Sequence, residues 1–208
     1  MDINTTRLRC TLGWLAMLLP WLSAIFSVCC GYGWPGSISI TYYQYETAAP
    51  ALLIILGAAS ILLFAYKGYE KIDDILNTCA GIFGLGILLF PTAPDFSGHN
   101  YIGTFQIPAS VSTVIHLICA IIFFALLSIN SLFLFTKSSG DMTKEKKKRN
   151  IVFRVCGIGM VASFGLLPLS ALGVSFTVWL VEAIALLFFG ISWLTKANCY
   201  PWLFADKK

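Results

Sequence analysis

Charge is what this sequence has least of. Only 12% of its 208 residues are Asp, Glu, Lys or Arg, while 58% are hydrophobic and the mean hydropathy is +0.80. A water-soluble domain of this size needs polar residues to cover its outside, so the composition excludes one. A bilayer lifts that requirement, and the length then suits one compact bundle. Histidine is almost missing too: His99 and His116 are the whole supply. There is no HExxH or HxxxH pair, no GxSxG nucleophile elbow and no Walker A loop. Seven cysteines occur without a CxxC or a zinc spacing. Cys79, Cys119 and Cys156 fall inside apolar runs, where cysteine acts as a small hydrophobe. Cys29-Cys30 sits near the outer end of the first run, and a redox role there is the lesser reading.

What is present is a series of six apolar runs, at about 11–31, 49–66, 75–92, 112–135, 151–171 and 176–195. Each is near the ~20 residues needed to cross a ~30 Å hydrocarbon core. They do not alternate polar and apolar, so a barrel is excluded and helices are required. The first run is long for a signal peptide and lacks a clean small-x-small cleavage site, so it reads as a retained span. Pro20 and Pro168 are expected to kink spans one and five. Asn77, Gly81 and Gly84 on span three, and Gly159 with Ser163 on span five, offer small faces for close helix approach.

Orientation follows from the basic residues. With the N-terminus inside, the inner segments carry Arg7, Arg9, Lys67, Lys71, Lys137, Lys144, Lys146, Lys147, Lys148, Arg149, Arg154, Lys196, Lys207 and Lys208, which are all fourteen. The outer segments 32–48, 93–111 and 172–175 carry none. The positive-inside rule therefore predicts an all-α, polytopic bundle of six spans, a single domain over 1–208, with both termini in the cytosol. Residues 137–150 read as a basic cytosolic loop. Its Lys144, Lys146, Lys147, Lys148 and Arg149 are expected to touch anionic lipid, at ~1 kcal/mol per basic residue. A cytosolic protein partner at 137–150 is the lesser reading, and nucleic acid is not expected.

Ionisable groups inside lipid are costly and default to functional candidates. Glu182 lies ~10 Å into span six from its outer end, and His116 lies about a turn into span four from the same side. Ser112, His116, Cys119 and Asn130 form a polar stripe that is expected to face the bundle. The outer loops add Tyr42 and Tyr43, and Asp95 and His99. The aromatics of the first outer loop read first as a headgroup belt and second as a lid over a pocket.

Several stretches resemble an uncharacterised family of bacterial six-span proteins, near the broad Frag/DRAM/Sfk-like group. They are Ser37-Ile38-Ser39 with Tyr42-Tyr43; Tyr66-Lys67-Gly68-Tyr69; Phe90-Pro91-Thr92; Ile115-His116 with Ala120 and Phe123-Phe124; and the run from Phe189 to Lys196. A basic–acidic pair follows the tyrosines in that pattern, where this chain reads Tyr45-Glu46-Thr47-Ala48. The resemblance implies six spans and no particular chemistry.

The expected function is thus a non-enzymatic protein of a bacterial cytoplasmic membrane. It binds or senses a lipid or small amphipathic ligand in an outward-facing pocket near His116 and Glu182. Membrane lipids are the expected partners, with itself or another membrane protein as a further one, and no cofactor is implied. Two alternatives stand beside this. One is a metal-dependent lipid hydrolase with His99 and His116 as ligands. The other is a small transporter or pore using Glu182.

Overall fold

The computed structural model describes residues 3–44, 47–68, 70–93, 101–138 and 141–199. Six helices in it are long and apolar enough to cross a membrane. They are α1 (Ile3–Cys29), α2 (Ala48–Ala65), α3 (Lys71–Leu89), α4 (Ala109–Ile129), α5 (Lys144–Ser163) and α6 (Thr177–Lys196). Each packs on the next and α6 closes on α1, giving a ring of six in chain order. Helices wind this way because lipid leaves each backbone only its own turns as hydrogen-bond partners. Their outward faces stay apolar: Ile151, Val155, Ile158 and Val161 on α5 are each more than half exposed.

The helix ends carry their reasons locally. At the end of α1, Gly31 takes φ +84°, and the N–H groups of Gly31 and Tyr32 reach back to the carbonyls of Val28 and Ser27. That pairing is a Schellman stop, which favours glycine. Glu70 and Asp73 form a reciprocal capping box on α3, and the Thr143 hydroxyl accepts from Lys146 N–H at the start of α5. Two helices change pitch. α4 runs on as a π turn, Asn130–Leu134, closed by Phe135 N–H to Asn130 O at 2.9 Å. α5 tightens into a 3-10 segment, Phe164–Leu172. Pro168 has no N–H to offer the carbonyl four residues before it, which is that of Phe164, where the α pattern ends.

The bounds differ from the apolar runs at their charged ends. α1 starts at Ile3 rather than near residue 11, and α5 at Lys144 rather than 151. The basic stretch read as a loop over 137–150 is therefore helical from Lys144 onward. Lysine and arginine are good helix formers, and a span continues past the lipid once water solvates its charges. Unforeseen from the sequence are a short hairpin, β1 (Tyr101–Ile102) with β2 (Ile107–Pro108), and a disulfide between Cys10 and Cys199 that ties the start of α1 to the residues after α6. Cys29 and Cys30 remain thiols.

Alternating helix directions gather the helix ends into two mouths. One holds the start of α1, the α2–α3 turn, the α4–α5 turn and the end of α6, which is where the basic residues among those described are. Beneath it the fully buried Trp193 stacks edge-on with Tyr66 and Phe135. The other mouth is aromatic. Trp179 there sits edge-on to Trp21 and Trp34, and its indole N–H donates to the carbonyl of Pro20.

Candidate functional site

At the aromatic mouth the segment between α1 and α2 does not stay on the surface. Tyr32 and Trp34 are exposed, whereas Ile38, Ser39, Thr41 and Gln44 turn inward and are buried. A 3-10 turn over Ser39–Tyr43 seats them, and Tyr43 donates its hydroxyl to the carbonyl of Thr92. The loop thus places a belt outside and a plug inside. Beneath the plug is a cavity of ≈40 Å³ lined by Ser39, His116 and Glu182 among Leu19, Leu52, Ile87 and Phe123.

Three polar side chains meet there. His116, 4% exposed, projects Nδ1 toward the carbonyls of Phe90 (2.9 Å) and Ile87 (3.1 Å). Those carbonyls belong to the last turn of α3, where no intrahelical N–H remains to serve them. Both are pure acceptors, so Nδ1 carries a hydrogen. Nε2 faces Ser39 Oγ at 3.0 Å. Glu182 Oε2 accepts the Ile38 N–H at 2.6 Å. Glu182 and His116 therefore hold adjacent residues of the plug, Ile38 and Ser39.

The remaining sequence candidates are distributed differently. Ser112 is fully buried and donates to the carbonyl of Pro91. Cys119 lies against α3 near Gly86. Asn130 stands fourteen residues along α4 from His116, at about 21 Å by helix rise, and donates to Asn77 Oδ1. Tyr42 and Tyr43 pack edge-on to each other in the plug. Asp95 and His99 lie outside the described residues. Among the described residues no group of three His, Cys, Asp or Glu stands together as a metal site.

The larger cavity is at the opposite, basic mouth. It has a volume of ≈520 Å³, and its walls bring together Arg9, Lys137, Lys146, Arg149 and Lys196 against two acidic residues, Glu70 and Asp73. Arg9 is 2% exposed and places Nε and Nη2 at 3.1 and 2.7 Å from the Tyr66 hydroxyl. Lys196 Nζ lies over the Phe135 ring at 4.9 Å, and Lys146 Nζ donates to the Phe135 carbonyl. Lys137 pairs with Glu70 at 2.7 Å, and that hydrogen bond holds its ammonium above the usual lysine range. Of the five expected lipid-contact residues, Lys146 and Arg149 face this cavity, while Lys144, Lys147 and Lys148 lie outside its wall. Sequence reading gave no site role to Ser39, or to the cavity's Arg9 and Lys196. An arginine set against the start of the first apolar run was the available signal for Arg9. Comparison with family models, curated proteins and solved structures finds no match for this chain.

Proposed function

We propose that this chain is a six-span protein of a bacterial cytoplasmic membrane, with both termini in the cytosol, that binds the phosphate-bearing head of an anionic amphiphile in its basic cavity. The observation that carries this is the ≈520 Å³ cavity with five basic side chains on its wall. Its volume is in the range of small-molecule sites, about 300–1,000 Å³. Arginine presents planar, paired N–H donors that match phosphate oxygens. The cavity lies among the charged ends of the spans, a position from which a head would be bound while its acyl chains stay in lipid. The outward-facing pocket near His116 and Glu182 holds ≈40 Å³. That is room for about one to three waters, so it suits water and protons better than an acyl chain.

The test is ligand retention by the purified protein in native mass spectrometry, with phosphatidylglycerol, phosphatidylcholine and inorganic phosphate as separate probes. Phosphatidylglycerol should be retained over phosphatidylcholine. Changing Lys146 and Arg149 to Gln should weaken it roughly 30-fold, from ~1 kcal/mol per basic residue. Raising salt should shrink the difference by screening. Competition by inorganic phosphate alone would assign the site to a free anion. Equal retention of the two lipids by wild type and variant would overturn the reading.

A further inference from the structure

We propose that the group taken by the basic cavity is a terminal phosphate with two or more negative charges, a phosphomonoester or a diphosphate, in preference to a phosphodiester. This rests on the phosphate-head assignment of the same cavity and adds the charge of the head. Arg9, Lys137, Lys146, Arg149 and Lys196 stand against Glu70 and Asp73, so the described wall carries three positive charges in excess. Both carboxylates already serve the protein. Glu70 pairs with Lys137 at 2.7 Å, and Asp73 Oδ2 accepts the Glu70 N–H in the capping box of α3. The cations are held in place as well. The Tyr66 hydroxyl accepts from Arg9. Phe135 alone gathers two ammonium groups: its carbonyl accepts from Lys146 Nζ at 2.7 Å, and its ring centroid lies 4.9 Å from Lys196 Nζ. Contacts of this kind keep like charges near one another, so relief of their repulsion comes from a bound anion. A phosphodiester brings one negative charge and leaves most of the excess unmatched. A phosphomonoester brings close to two above its second pKa of about 6, and a diphosphate brings more.

The origins of the cations agree with this. Arg9 comes from α1, Lys146 and Arg149 from one turn of α5, Lys196 from the end of α6 and Lys137 from the α4–α5 connection. A phosphodiester carries carbon on two of its four oxygens and leaves two for charged donors. A terminal phosphate is substituted on one oxygen and offers three, which suits donors supplied by several elements. Arg9 and Arg149 add the paired N–H groups that match phosphate oxygens two at a time. Beyond the wall, the described residues of this mouth include Asp74, Asp141 and Glu145, which Arg7, Lys67, Lys71 and Lys144 already outnumber. No acidic surplus there offsets the excess. The second charge on the head is worth at least about fivefold in affinity, the value of one charge contact at 4 Å even in a water-like dielectric.

The test offers purified protein an equimolar mixture of phosphatidic acid, phosphatidylmethanol and phosphatidylcholine at pH 8, and native mass spectrometry counts what is retained. Phosphatidic acid and phosphatidylmethanol differ by one methyl group, which removes one negative charge at almost the same size. Phosphatidic acid should be retained over phosphatidylmethanol by at least about fivefold. Glu70→Gln adds a positive charge to the excess and should widen that ratio, whereas Lys196→Gln should narrow it. Should neither variant purify as a folded bundle, wild type decides by itself. Equal retention of phosphatidic acid and phosphatidylmethanol, both above phosphatidylcholine, would overturn the proposal and leave the anionic-head assignment standing. Equal retention of all three would remove that assignment, and the proposal with it. A preference for phosphatidic acid that neither variant moves would place it at another surface and also overturn the proposal. With the preference seen and moved, release of bound phosphatidic acid by an equal concentration of inorganic diphosphate gives the same charge class a soluble source, and continued retention gives it a lipid source.

Discussion

Arg9 is a costly side chain for the protein to keep. It is a guanidinium at 2% exposure, and taking such a charge from water is tolerable only with full hydrogen bonding. The Tyr66 hydroxyl accepts two of its N–H groups, and the guanidinium carbon lies 5.4 Å from the Tyr66 ring centroid. Tyr66→Phe keeps the ring and removes the acceptor. It should lower the unfolding free energy by about 1.5–3 kcal/mol, the usual worth of hydrogen bonds to a charged group. Steric-trapping unfolding in detergent measures this, and an unchanged value would mean the Arg9 charge is satisfied elsewhere. Lys137 presents the opposite case, an exposed pair. Its ammonium is held above the ordinary range by Glu70, so whatever the pair adds to stability is complete below the unfolded lysine value. It is lost only as pH rises through the folded one. In Glu70→Gln the Lys137 Nζ should titrate at lower pH than in wild type, which ¹⁵N shifts of the ammonium report directly. Ser39 shows why a site can be illegible at this scale. Serine in a glycine-rich loop has no distinguishing pattern, and its partner His116 is 77 residues away.

Helix pairs here approach each other at glycines, and the crossings define the ring. A Cβ on Gly81 would stand 2.6 Å from both the Phe64 nitrogen and the Ser60 carbonyl oxygen, which are backbone atoms of α2 and cannot rotate aside. Gly81→Ala should therefore force α2 and α3 apart and cost about 1–3 kcal/mol, the range for overpacking. Gly165→Ala meets nothing within 4 Å and is the matched control. Equal stability of the two variants would remove close packing as the reason for Gly81. This face, with Asn77 and Gly84, was readable beforehand because small residues at helical spacing allow close approach in lipid. The six spans were readable for a related reason: lipid demands an unbroken apolar run, and composition displays it. The extensions of α1 and α5 were hidden because charged turns beyond the lipid look like loop. The plug was hidden because Ser37-Ile38-Ser39 has neither periodicity nor length, and its burial comes from contacts with α4 and α6.

Over the whole molecule, a ring of six helices separates a basic mouth from an aromatic one, and this asymmetry is what makes orientation testable. Single cysteines at the exposed Gln106 and Asp141, in a background without native cysteines, should divide cleanly. An impermeant maleimide added to cells should label Gln106→Cys alone, and labelling of Asp141→Cys alone would invert the orientation. The same orientation has a consequence for Cys10 and Cys199, which the fold brings to a Cα separation of 6.6 Å at the basic mouth. Arg9 and Asn198, their immediate neighbours in sequence, both line the basic cavity, so the link, when closed, fastens the cavity's rim between α1 and α6. Bacterial cytosol keeps thiols reduced, whereas a periplasm oxidises them. With the basic mouth inside, the pair should be dithiol in living cells and close to the disulfide only after extraction into air. Alkylation with a permeant mass-tag reagent, before lysis and again after aerobic extraction, counts the difference. Cys10 and Cys199 should both take the tag in cells and neither afterwards. A bond already closed in growing cells would place the basic mouth on an oxidising side. It would then agree with labelling of Asp141→Cys from outside, so the two measurements stand or fall together.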